Sequence, residues 1–271
     1  MTTKLNYWRF LPPQAHGNTL VFLLVTPIGA FHWMPLEDSP RPKQVWRRGR
    51  GLQRKKIVSY EEGGSNGLPD SECRSAIALI LATSSSPDDL IEAWCHSIGG
   101  GSTPLCISEN VLGAALVNPG SSSADSFLPM VAIIAPNNAW EKEMTLALHA
   151  VQINRESDTM TVEDIIAEVV ISQNSNDQEI DEPIMAMGTA PPALCLSCQD
   201  FIVVILRNVG YIVIYKFINR TLDLVHETKL EKYIVDASIK AQPGIDGIEA
   251  IMLTCEPEDM KDGRIVTIHV S

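Results

Sequence analysis

The sequence predicts an all-β fold, a β-propeller assembled from about five repeated hairpin or four-stranded units and closed by the N-terminal strand; an all-β sandwich or barrel made of the same hairpins is the alternative. Three observations lead there. Runs rich in Val, Ile, Leu and aromatics follow a two-residue period rather than the 3.6-residue period of a helix. Each run is followed by a turn and a second such run, the signature of a hairpin. The hairpins recur, starting at residues 19, 75, 130, 201 and 248 with intervals of 56, 55, 71 and 47, close to the roughly 40 to 55 residues of a multi-stranded propeller blade.

Taken in order, the units cover residues 19–36 (TLVFLLVTPIGAFHWMPL), 75–98, 130–153, 201–218 and 248–271. Each joins its two apolar runs by Pro, Gly, Asn, Asp or Ser, which supply the backbone angles of a chain reversal. The fourth is the cleanest. Residues 193–198, 201–206, 211–217 and 221–227 read as four strands, with Asn208-Val209-Gly210 and Asn219-Arg220 as turns. The fifth stops at its third strand, whereas residues 5–11 (LNYWRFL) form an orphan strand at the other end. Pairing 5–11 beside 264–270 would cover both open edges at once. Only residues 161–170 compete as a helix, because Thr161 and Asp164 make a capping-box-like start. The β-branched content of that segment makes a strand its rival.

Composition sets the class. A chain of 271 residues with 45% hydrophobic and 20% charged residues can bury a substantial core, and the expectation is a single domain over 1–271. The net charge of −12 argues against general nucleic-acid or anionic-membrane binding. That charge is uneven. Residues 41–56 hold eight Lys or Arg and no acid, and residues 156–182 hold nine acids and no base. They read as a basic loop insertion over 37–71 and an acidic insertion over 156–182. The N-terminal residues lack a secretory pattern, and no apolar run reaches the ~18 residues of a membrane span. An intracellular protein of the nucleus or cytoplasm is expected, with its six cysteines reduced.

The units around Phe201 and Ile248 resemble degenerate members of the WD40-type β-propeller superfamily. Tyr215 and His269 stand near the place where that family's Trp ends the third strand of a blade, although no Trp-Asp dipeptide and no Gly-His pair occur in the units. The resemblance implies a platform for protein contacts, of the kind found in scaffold proteins such as nucleoporins and vesicle-coat subunits.

The candidate chemistry is sparse. Gly63-Gly64-Ser65-Asn66-Gly67 matches the nucleophile-elbow pattern, but Leu68-Pro69-Asp70-Ser71 does not start a helix, so Ser65 reads as part of a surface loop. Cys195-Leu196-Ser197-Cys198 is a lone CxxC, half the ligand set of a structural zinc site, and a strand would point its two thiols to opposite faces. His32, His96, His149 and His269 recur near the ends of second hairpin strands and belong to different blades, which favours packing over one metal ring. No catalytic, cofactor or metal residue is assigned. The basic stretch is the suggestive feature: Arg41, Lys43, Arg47, Arg48 and Arg50 flank Trp46, a combination suited to an acidic partner. The expected function is a protein–protein interaction scaffold module within a larger complex, not an enzyme. A hydrolase on a propeller fold and a nucleic-acid-associated factor using residues 41–56 are the alternatives.

Overall fold

The computed structural model describes residues 7–10, 22–26, 29–33, 42–47, 52, 55–63, 76–84, 90–98, 103–117, 129–137, 143–154, 159–172, 192–230, 232–256 and 259–271. No α-helix occurs among them. Their strands form five antiparallel sheets, the blades of a β-propeller, as the two-residue period predicts. The chain divides into two compact units, residues 1–110 with 152–162, and residues 111–151 with 163–271.

The first unit holds two sheets in the orders β1-β2-β3-β4 and β5-β6-β7-β8. The first comprises β1 (Tyr7–Phe10), β2 (Phe22–Thr26), β3 (Gly29–Trp33) and β4 (Lys43–Arg47). The second comprises β5 (Lys56–Gly63), β6 (Ala76–Thr83), β7 (Ile91–Ile98) and β8 (Leu105–Ser108). Alternate residues Leu23, Val25 and Ala30 of the first sheet meet Ile57, Tyr60, Ala78, Ile80 and Ala82 of the second in one buried cluster.

Two expectations change here. The N-terminal strand was assigned to the last unit, but Tyr7–Phe10 pairs antiparallel with β2, from Tyr7 opposite Val25 to Phe10 opposite Phe22. Strands that follow one another in sequence are usually neighbours in a sheet, and this pairing leaves the last sheet without β1 as cover. The stretch 37–71, read as an inserted loop, contains β4 and β5. An outermost strand tolerates cations because one edge faces water, and β5 buries Ile57, Val58 and Tyr60.

The second unit holds three sheets. β9 (Gly113–Val117), β10 (Met130–Pro136), β11 (Glu143–Asn154) and β12 (Thr159–Ser172) form one, with the tip of the β11–β12 hairpin counted in the first unit. β13 (Ala193–Cys198), β14 (Phe201–Leu206), β15 (Tyr211–Ile218) and β16 (Thr221–Lys229) form the next. β17 (Tyr233–Ala241), β18 (Ile248–Glu256) and β19 (Asp259–Val270) form the last, which has three strands. The acidic stretch 156–182, expected as an insertion, thus contains β12. Met160, Ala167 and Ile171 are buried while Glu163 and Glu168 are exposed, so these two acids lie on a strand of the sheet rather than in an insertion. The helical reading of 161–170 gives way to the same strand.

The sheet β13–β16 shows why this unit holds together. Every residue of β14 is buried, and the two faces enter different clusters. Ile202, Val204 and Leu206, with Tyr211, Val213 and Tyr215, pack among side chains of β9–β12. Phe201, Val203, Ile205, Ile212 and Ile214 pack against Ile234, Ile248, Met252 and Val270 of the last sheet. Cross-strand pairing places Val203 opposite Ile214 and Ile205 opposite Ile212. The β15–β16 turn has positive φ at both Asn219 (51°) and Arg220 (65°), the geometry whose twist matches a two-residue hairpin.

Backbone contacts link the first strands of these sheets. A Cβ on Gly113 would lie 2.5 Å from the carbonyl oxygen of Ala193, so only glycine lets β9 come this close to β13. The Ala193 amide donates to Leu112 O at 3.0 Å. Further on, the Ile234 amide donates to Arg207 O at 3.1 Å. A bulge in β17 between Ile234 and Asp236 breaks the ladder there. The buried Arg207 fills the gap: its Nε donates to Ile234 O at 3.1 Å, a terminal nitrogen donates to Val235 O, and the guanidinium lies 5.7 Å from the Tyr233 ring centre. Arg207→Met keeps the bulk but strands these carbonyls, and is expected to cost about 1 to 2 kcal/mol in urea unfolding. An unchanged midpoint would show that the bulge needs no clamp.

Candidate functional surfaces

Of the basic residues singled out in the sequence, Lys43, Trp46 and Arg47 lie on β4; Arg41, Arg48 and Arg50 lie outside the described residues. In the ladder, Lys43 stands opposite His32, Trp46 opposite Ala30 and Arg47 opposite Gly29, with a bulge between Ala30 and Phe31. Arg47 and Gln44 are exposed. The described part of the basic group therefore sits on the outermost strand of the first sheet rather than at the tip of a free loop.

The end of the same stretch turns inward. Lys55, just before β5, pairs with the Glu92 carboxylate on β7, and its ammonium lies 4.5 Å from the Trp94 ring centre. Trp94 Nε1 donates to the same Glu92 oxygen at 2.8 Å. Burial alone would raise the Glu92 pKa. The hydrogen bonds from Lys55 and Trp94, the Lys55 charge and a hydrogen bond from Ser84 outweigh it and hold the carboxyl below its ordinary value. The partner of Lys55, at the end of the basic stretch, is thus Glu92 on β7 rather than an acid of 156–182. Sequence reasoning missed Glu92 and Trp94. The available signal was a single acid in the mostly apolar strand IEAWCHSI, since a buried carboxylate needs a partner.

The other motifs separate. Cys195 enters the cluster shared with β9–β12, and Cys198 the cluster shared with the last sheet, so the CxxC thiols do point to opposite faces. Burial raises the pKa of Cys198, opposed by a hydrogen bond with the Ala241 backbone. Burial likewise pushes Cys95 well up. His32, His96, His149 and His269 lie on β3, β7, β11 and β19, each in a different sheet. His149 is half-buried, and burial lowers its pKa against the opposing effects of the Glu163 backbone and the Glu168 charge. His269 departs from the packing expectation: it is exposed, with Nδ1 3.0 Å from Gln242 Nε2. Ser65 lies outside the described residues. Among the described residues, no three His, Cys, Asp or Glu side chains gather as a metal site, and no helix is long and apolar enough to cross a membrane.

Exposed large apolar side chains not foreseen from sequence recur on the three sheets of the second unit. Ile165 and Val170 on β12, Ile218 at the end of β15, and Leu224 and Val225 on β16 are exposed. In the last sheet, Leu253 and Ile265 face each other across the β18–β19 ladder, 42% and 74% exposed. A comparison with protein-family profiles and with curated proteins returns no match.

Proposed function

We propose that this chain is a protein–protein interaction module, a degenerate WD40-type propeller acting as a scaffold in a larger intracellular complex of the nucleus or cytoplasm. The observation that carries the reading is the series of exposed apolar side chains on three successive sheets, β9–β12, β13–β16 and β17–β19. Single exposed apolar residues are ordinary, whereas large ones recurring on adjoining sheets favour contact with other proteins. Tyr215 and His269 both lie on third strands, as the family resemblance requires. The exposed Arg47 on β4 supports an acidic contact at the first sheet.

Affinity purification combined with cross-linking mass spectrometry tests this reading. The expected result is a stoichiometric set of partners whose cross-links fall near β12, β16, β19 or β4. Recovery of only variable, substoichiometric proteins, with the chain migrating alone at its own mass of 29.7 kDa, would count against it.

A further inference from the structure

We propose that Thr103 is a phosphorylation site for a proline-directed protein kinase, of the class that reads the proline and needs no base beside it. The proposal goes beyond the interaction-module reading and does not rest on it. Ser-Pro or Thr-Pro occurs four times in the chain, at Thr26, Ser39, Ser86 and Thr103, all within the first 104 residues. Ser39 and Ser86 lie outside the described residues. Thr26 is closed to a kinase: it ends β2, is 8% exposed, and its hydroxyl donates to Gly29 O at 3.2 Å. Thr103 is exposed and stands between β7 and β8, outside either strand.

A kinase takes its substrate as an extended segment, with several residues on each side of the hydroxyl lying in the cleft. Pro104 favours that form, because its ring disfavours the helical region for the residue before it. Upstream, Gly99-Gly100-Gly101 bring no side chains that could clash with the cleft. Downstream, β8 has only four residues, all half-buried, and is the outermost strand of its sheet. Three residue pairs hold it to β7, Ala93 with Ser108, Trp94 with Cys106 and Cys95 with Leu105, and a bulge falls between Ala93 and Trp94. A short edge strand with few buried contacts is among the elements that open at the smallest free-energy cost. Thr103 can therefore enter a cleft while β5, β6 and β7 stay paired.

The flanking sequence selects the kinase. From Gly99 to Ser108 the chain carries no Asp, Glu, Lys, Arg or His, so kinases that anchor on a base near the hydroxyl find no contact. Pro104 supplies the remaining signal. It has no amide hydrogen, so no donor is left unpaired when the residue after the hydroxyl enters an apolar pocket. In the transfer, Thr103 Oγ1 forms a bond to the γ-phosphorus of magnesium-bound ATP as the bond from that phosphorus to the bridging β–γ oxygen breaks. ADP leaves, and the hydroxyl proton passes to the catalytic aspartate of the kinase. The product adds about −1.5 to −2 charges to a segment that had none.

The test incubates the full chain and magnesium-ATP with a mitogen-activated protein kinase, or with a cyclin-dependent kinase, which reads a base three residues after the hydroxyl where this chain has Cys106. Mass spectrometry maps the phosphate and follows its rate of incorporation. The first kinase is expected to modify Thr103, and to do so about tenfold faster than the second. Thr103→Ser should keep the site and Thr103→Ala should abolish it. Pro104→Ala, shown to be folded by an unaltered urea midpoint, is expected to slow incorporation at 103 about tenfold. A peptide of residues 99–108 reports the intrinsic quality of the motif. Modification of that peptide but not of Thr103 in the folded chain would overturn the proposal, because the fold would then close the site. So would phosphate confined to Ser39 or Ser86, an unchanged rate in Pro104→Ala, or modification of Thr103 only in urea that unfolds the whole chain.

Discussion

Ile205→Ala and Ile214→Ala are each expected to destabilise the chain by roughly 2 to 5 kcal/mol, the range for truncating a buried isoleucine. Both side chains are fully buried, in a cluster that unites the fourth and fifth sheets. The loss combines transfer of the missing methylenes with a cavity that flanking β-strands cannot collapse to fill. Leu224→Ala, on the same sheet but 55% exposed, provides the control and should shift stability by no more than about 0.5 kcal/mol. Urea unfolding followed by intrinsic fluorescence distinguishes the sites. Similar small effects at all three positions would mean that the two sheets do not share this core.

Glu92→Gln is expected to cost about 2 to 3 kcal/mol at neutral pH, because it removes the carboxylate that satisfies Lys55 and Trp94 in a buried setting. The sign of the pH dependence follows from the lowered pKa of Glu92. A depressed carboxyl contributes stability that is fully present above its ordinary value of 4.5 and is lost as the pH falls through the lower folded value. The gap between wild type and variant should therefore stay constant from neutrality down to that ordinary value and narrow below it. A gap that widened in acid would show that the neutral form of Glu92 is the one the fold prefers.

The fourth sheet was the part of the fold most legible in the sequence. Its strands fall where the apolar runs and the Asn208-Val209-Gly210 and Asn219-Arg220 turns place them, because both faces are buried and each turn demands unusual backbone angles. Outer strands were harder to read. β4 and β12 carry the charges that keep a sheet edge from aggregating, and those charges resemble insertions when counted along the chain. The partner of the N-terminal strand was misassigned for a related reason: an edge does not declare in sequence which neighbour it joins. The pairing of Lys55 with Glu92 spans 37 residues and two strands, and nothing local to either residue announces it. For the proposed contact surfaces, the basic cluster was legible as composition. The exposed Leu253–Ile265 pair was not, since apolar residues on the two faces of a strand look alike until one face is covered.

The opposed thiols of β13 have a kinetic consequence. Cys195 is sealed between the third and fourth sheets and Cys198 between the fourth and fifth, although the two are three residues apart. Each is thus a separate timer for one seam of the molecule. Under a thiol-alkylating reagent, the order in which a single tryptic peptide gains its first and second label reports which pair of sheets parts more readily, without any engineered probe.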